Sequence, residues 1–211
     1  MNKRFFDKYS VLFLSSLIIL IFGFIEPCYG QSFHVRRYTT ADSLPGTEVY
    51  GITQDLQGRM WFASMPGISC FDGVNWTHYT AVEGLPSRRF IQLESDRKAR
   101  IWALPFTSLT GAIVACFEDN RWHTFSQETI RESHPLHFTS LALMVQKQET
   151  IPVIGTRGKG IYLLHRKKWY HFTTMDGLAD NSVTEIVALN GKFYVATKAG
   201  LSVLYLMSSG K

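Results

Sequence analysis

Cysteine is scarce in this chain: three in 211 residues, with only Cys70 and Cys116 beyond residue 30. No Cys-x-x-Cys pair occurs, so neither a zinc ribbon nor a redox dithiol is expected, and no metal or cofactor is. Helical patterning is missing too. After Gln31 no apolar stripe at helical spacing runs for a useful length. Charge of one sign is modest, with 22 Lys and Arg against 17 Asp and Glu. Part of that excess is Lys3, Arg4 and Lys8, so no nucleic-acid partner is expected. The cluster His165-Arg166-Lys167-Lys168 stands just before Trp169, where a solvated hairpin turn accounts for it.

The N-terminal segment is set apart from the rest. A basic start at Lys3 and Arg4, an uncharged run over residues 9–25 and the small-x-small exit Cys28-Tyr29-Gly30 form the layout of a secretory signal peptide. Cleavage after Gly30 is expected, because Pro27 and Gly30 break a helix where a peptidase needs extended chain. The alternative is a retained N-terminal membrane anchor, since a run of about 17 residues just spans a bilayer. In both cases residues 31–211 are expected outside the cytoplasm, periplasmic or extracytoplasmic, and at a membrane only if the anchor is retained. That compartment permits disulfides. Cys70 and Cys116, however, occupy the same place in successive repeats, farther apart than the roughly 7 Å a bridge tolerates. Two buried free thiols are expected.

Repetition dominates what remains. Tyr38-Thr39 followed by Asp42-Ser43-Leu44 returns as Tyr79-Thr80 with Glu83-Gly84-Leu85, and as Phe172-Thr173 with Asp176-Gly177-Leu178. A degenerate copy starts at Phe125-Ser126 and shows Arg131, Glu132 and Ser133 where the turn should be. The steps between aromatic starts are 41, 46 and 47 residues, the period of propeller blades. Units of about 38–78, 79–124, 125–171 and 172–211 follow.

Each unit breaks into short runs of β-branched and aromatic residues bounded by Gly, Asp, Asn or Pro, which describes four antiparallel strands. Gly58 and Gly73 mark hairpin tips that need positive φ. Ala99 replaces the first of these in the second unit, and a looser hairpin is expected there. Trp61, Trp102 and Tyr194 share a strand position where a large ring fills the wedge between sheets. The fold class is all-β: a β-propeller of about four blades of four antiparallel strands, as an open arc or a small closed ring.

"LPGTEVYGITQDLQGRMWFAS", "GISCFDGVNWTHYT" and "DGLADNSVTEIVALNGKFYVATKAGLSVL" resemble the two-component regulator propeller repeat. That repeat builds the extracytoplasmic sensor region of hybrid histidine kinases in Bacteroidetes. The resemblance covers nearly all of residues 31–211 and implies a ligand-sensing module in signal transduction, in many relatives for oligosaccharides. Relatives continue into further blades, a membrane span and a kinase. This sequence shows no kinase motif, so kinase activity is not carried over, and a truncated sensor or a stand-alone propeller is expected. Residues 33–39 look like a lone outermost strand, while 183–189, 192–197 and 201–206 give three strands without a fourth. The N-terminal strand would complete the last blade in a closed ring. In an open arc, the edges at 33–39 and 201–206 invite self-association.

Glu48, Arg89, His137 and Ser182 each stand immediately before the first strand of a unit, so their side chains could line a common mouth. Arg88 beside Arg89 adds a second guanidinium suited to the carboxylates of acidic sugars. These five are the candidate ligand-binding residues, and no catalytic residue is assigned. His78, His123 and His171 alternate with aromatics on outer strands, and Asp72 and Glu118 read as turn formers. Two other functions are weighed: a protein–protein interaction scaffold, and a propeller lyase or glycosidase. A glycosidase needs two facing carboxylates, and no acidic pair is read outside a turn. The lyase would rest on His137 with Glu48.

Overall fold

Short runs closed by Asp- and Gly-bearing turns fold as antiparallel hairpins, and the resulting sheets bury both faces only by stacking on their neighbours. In the computed structural model the described residues are 33–108, 111–127 and 135–205. The chain divides into two units, 1–37 and 38–211. Of the first, residues 33–37 are described: they are exposed and form no strand. The expected signal segment, Cys28, Arg131, Glu132, Ser133, His134 and residues 206–211 lie outside the described residues. No described helix is long and apolar enough to cross a membrane.

The second unit is a series of antiparallel sheets. Blade 1 is β1 (Val49–Gln54), β2 (Met60–Ser64), β3 (Ile68–Phe71) and β4 (Trp76–Tyr79). Blade 2 contains β5 (Phe90–Ser95) and β6 (Ile101–Pro105). The chain then forms the two-residue strand β7 (Thr107–Ser108) before β8 (Ala112–Glu118) and β9 (Arg121–Ser126) complete that blade. Blade 3 is β10 (Leu136–Gln146), β11 (Glu149–Thr156), β12 (Ile161–His165) and β13 (Lys168–Phe172), with β7 added beside β10. Blade 4 has three strands, β14 (Val183–Leu189), β15 (Lys192–Thr197) and β16 (Gly200–Tyr205). The expected four-sheet architecture is therefore present, with the predicted strand missing over residues 33–39. A strand needs a ladder, and no described strand pairs with these residues.

The innermost strands pack in series, β1 on β5, β5 on β10 and β10 on β14, with no comparable contact between β14 and β1. Three apolar cores fill the wedges. Trp61, Ile68 and Cys70 of blade 1 meet Phe90, Phe117 and Trp122 of blade 2. Trp102, Ile113 and Cys116 meet Leu141, Ile154 and Tyr162 of blade 3. Ile151, Val153 and Leu163 meet Ile186, Phe193 and Val195 of blade 4. Each fully buried large side chain contributes about 1.5–3 kcal/mol. Cys70 and Cys116 are buried free thiols in neighbouring blades, as their equivalent positions required.

Two local devices recur. In the first, Thr39, Thr80 and Thr173 accept from the backbone two residues on, and their own amide donates to Asp42, Glu83 or Asp176 at 2.8, 2.6 and 2.9 Å. This reciprocal pairing forms the turn between blades. In the second, Asp55 accepts from the Trp61 indole at 2.8 Å and from Arg59 Nε at 2.7 Å. Asp96 repeats this with Trp102 at 3.0 Å and Arg100 at 2.8 Å. The looser hairpin expected at Ala99 is not found. Ala99 adopts φ 60°, and its amide bonds Asp96 O at 3.1 Å, as Gly58 bonds Asp55 O at 3.1 Å. The buried carboxylate holds the turn closed and offsets the roughly 1–2 kcal/mol that a left-handed Cβ costs.

Candidate functional site

All four innermost strands carry a register shift near their start, at Val49/Gly51, Phe90/Gln92, Phe138/Ser140 and Val183/Glu185. Such a bulge bends the strand and re-aims neighbouring side chains. In blade 1 the extra residue is Tyr50, which is turned toward the strand ends where Glu48 and Arg89 sit.

The result is a continuous rim. Tyr50 donates its hydroxyl to the Glu48 carboxylate. The Arg89 guanidinium lies between two rings, 4.5 Å from the Tyr50 centroid and 4.3 Å from that of Phe106. Phe106 in turn meets the His137 ring edge-on at 5.7 Å. Backbone bonds stitch the same line: Phe106 N to Arg89 O, Arg157 N to His137 O, and Lys198 N to Ser182 O, each 3.0 Å. Arg157 and Ser182 form an isolated bridge that joins blade 3 to blade 4.

The structure thus brings Glu48, Arg89 and His137 together through Tyr50 and Phe106, and links Ser182 through backbone. Arg88 is exposed and joins none of these contacts, because successive residues of an extended chain project oppositely. Tyr50 and Phe106 were not singled out in the sequence. They sit 39 and 17 residues from Arg89 and share no repeated position with it, so periodicity could not find them.

Electrostatics favour a donor-rich rim. The Tyr50 phenol is raised above its ordinary value by its bond to Glu48 and by burial, which together outweigh the opposing Arg89 charge. It stays a donor at neutral pH. Arg89 Nε is buried and makes no hydrogen bond; ring stacking, not a carboxylate, holds this cation. Exposed Arg157 and Lys198 add positive charge farther along, beside His137 and Ser182.

A second polar line runs between innermost strands. Gln92 donates to Leu141 O and accepts from Leu141 N, both at 2.8 Å, clamping blade 2 to blade 3. Ser140 donates to Glu185 at 3.1 Å and accepts from Ile186 N at 3.0 Å, clamping blade 3 to blade 4. Glu94 accepts from Gln92 at 2.9 Å. Its carboxyl is pushed up by burial and by Glu185, against the lowering bond from Gln92. The expectation that no acidic pair stands outside a turn is therefore corrected: Glu94 and Glu185 lie on strands and face each other electrostatically. Both are tied into the clamps. Among the described residues no group of three or more His, Cys, Asp or Glu could hold a metal ion.

No family model and no curated protein matches this chain. Among solved structures it is similar to the extracellular domain of a hybrid two-component system from B. thetaiotaomicron. The TM-score is 0.62 at 18% identity, over 81% of this chain and 23% of that one. The fold is a β-propeller. The computationally designed Ika8 protein gives 0.52 at 15% identity over 76% of this chain and 46% of its own. A gluconolactonase from Xanthomonas campestris gives 0.52 at 13% over 74% and 58%. The chain spans under a quarter of the first protein's length, and at these identities the likeness is one of propeller architecture. The resemblance read from the repeats is met at that level.

Proposed function

We propose that this chain is the ligand-sensing segment of an extracytoplasmic two-component sensor, non-catalytic, with its binding surface at the rim formed by Glu48, Tyr50, Arg89, Phe106 and His137. Propeller likeness to the extracellular domain of a two-component system supports the general role. The observation that carries the site is the Arg89 guanidinium held between Tyr50 and Phe106, at the junction of two blades, with no carboxylate paired to it among the described residues.

A pre-positioned cation flanked by aromatic faces and a phenol donor suits an oligosaccharide bearing a carboxylate. The rings cover the sugar's C–H faces, while the guanidinium edge forks to the acid. Ring stacking has already fixed the Arg89 side chain, so little ordering entropy is lost on binding. The test is calorimetry with matched neutral and uronate-bearing oligosaccharides. The uronate should bind at least about tenfold tighter, equivalent to about 1.4 kcal/mol, and Arg89→Ala should abolish the difference. Equal affinity for both, or no binding to either, removes the proposal. Turnover of a bound sugar that depends on Glu94 would instead favour the glycosidase reading.

A further inference from the structure

The two terminal blades expose positions that every internal blade buries. Ile52 of blade 1 is 58% exposed, whereas its equivalents Leu93, Leu141 and Ile186 are 3%, 1% and 3% exposed against the preceding blade. At the other end Val203 is 42% exposed, while Cys70, Cys116 and Leu163 at the same position are 5%, 1% and 2% exposed against the following blade. Leu201 is 62% exposed, where Ile68 and Ile161 are 0%. Val187 and Tyr205 extend that apolar face. Among the described residues no fourth strand lies beside β16, whereas β4, β9 and β13 complete the other blades.

One aromatic residue identifies what belongs there. Tyr79, last residue of β4, stands 5.2 Å from Phe117 and 5.9 Å from Trp122 of the following blade. Tyr38 stands 5.7 Å from Phe71 and 6.0 Å from Trp76 of blade 1, which are the equivalents of Phe117 and Trp122. Tyr38 therefore fills the place of the last residue of an outermost strand, that of a blade preceding blade 1. By the pairing of Ile68 with Tyr79, the segment ending at Tyr38 would set that residue opposite Leu201. Within one chain β14 and β1 make no contact comparable to those between successive blades, so the described residues of one chain do not set Tyr38 beside their own β16.

We infer that a second copy of this chain covers these faces: two arcs join head to tail, blade 4 of each packing on blade 1 of the other. The segment ending at Tyr38 completes the partner's last sheet. A head-to-tail contact closes when its rotation completes the circle. Two four-bladed arcs give eight blades, within the roughly 4 to 8 that propellers use. Closure removes both exposed strand edges.

Sedimentation of the purified chain should report twice the chain mass at micromolar concentration. The double variant Leu201→Glu, Val203→Glu alters side chains already exposed in a single arc, so its β circular dichroism should be unchanged. Burying two carboxylates should weaken the dimer about 100-fold or more. With Tyr38→Cys and Leu201→Cys, a short bis-maleimide should yield a covalent dimer, because native Cys70 and Cys116 are buried. A one-copy mass, a ladder of masses beyond two, a cross-link within one chain, or a double variant that stays dimeric overturns the inference.

Discussion

Replacing Asp96 by Ala should cost far more than its size suggests. Its carboxylate, with a side chain 0% exposed, faces Arg100 at 2.7 Å. It accepts from the Trp102 indole at 3.0 Å and from Thr150 Oγ1, a blade 3 side chain, at 2.9 Å. Backbone amides of Lys98 and Arg100 complete the set at 2.8 and 3.1 Å. Each buried donor left unpaired costs about 1–3 kcal/mol. Arg100, which is 15% exposed, would keep only the half-exposed Glu118 at 3.6 Å, and this still places the change among broken buried pairs, about 3–5 kcal/mol. These terms overlap, so about 4 kcal/mol is expected for Asp96→Ala. Asp55→Ala is the internal control. Its partner Arg59 is 34% exposed and can find water, and no hydroxyl from another blade reaches it, so about 2 kcal/mol is expected. Urea unfolding measures both. Losses of equal size, or below about 1 kcal/mol for Asp96, would refute the idea that this carboxylate ties blade 2 to blade 3.

Four further outcomes follow from the same geometry. Burial acts to raise Asp96 and Asp55, but hydrogen bonds from the Trp indoles and neighbouring Arg outweigh it, and both carboxyls end below their ordinary value. Their contribution is present above the unfolded carboxylate pKa and lost as pH falls through the folded one, so unfolding temperature should drop below about pH 4, and less steeply in Asp96→Asn. Glu94 carries the opposite sign: burial and Glu185 raise its carboxyl, so Glu94→Gln should raise the unfolding temperature at pH 7. Burial pushes the Cys70 thiol up to about 11 and the Cys116 thiol up to about 12. A maleimide should leave both unmodified in the native chain at pH 8 and label both in denaturant. A Cβ at Gly160 would run into the Phe172 carbonyl at φ +72°; Gly160→Ala should cost more than about 2 kcal/mol in the urea assay.

Blade count and strand order were legible because they are written locally. A turn residue every few positions, and an alternation such as Val49-Tyr50-Gly51-Ile52-Thr53, state the strands without reference to the rest of the chain. The shared position of Trp61, Trp102 and Tyr194 was legible for the same reason, and the register confirms it. What failed depended on three dimensions. Asp55 and Asp96 close hairpin turns, and each also sits six residues before a Trp. That repeated spacing was the available sign of a buried acceptor, and it told why Ala99 can replace a glycine. At the rim, periodicity located Glu48, Arg89, His137 and Ser182 but could not separate Arg89 from Arg88. Which of two adjacent arginines turns inward is decided by Tyr50 on β1 and Phe106 in the bend between β6 and β7, which the sequence does not mark as neighbours.

The two proposals stand on different side chains. Every side chain of the proposed rim core comes from residues 48–137, between blade 1 and the start of blade 3, and the Gln92 clamp on Leu141 holds those blades in register from within one chain. Of the docking faces, Leu201 with Val203 lies on blade 4, away from the rim, while Ile52 lies on β1 two residues beyond Tyr50. Arg89→Ala should therefore change ligand affinity without changing mass, and Leu201→Glu with Val203→Glu should change mass while a single arc keeps its uronate preference. If the mass variant also lost that preference, a closed ring would be a condition for binding, and ligand would then drive assembly: by linkage, whatever binds the closed form better shifts the equilibrium toward it. For a sensor, that coupling is a means by which occupancy at the rim could be reported as a change in association between chains.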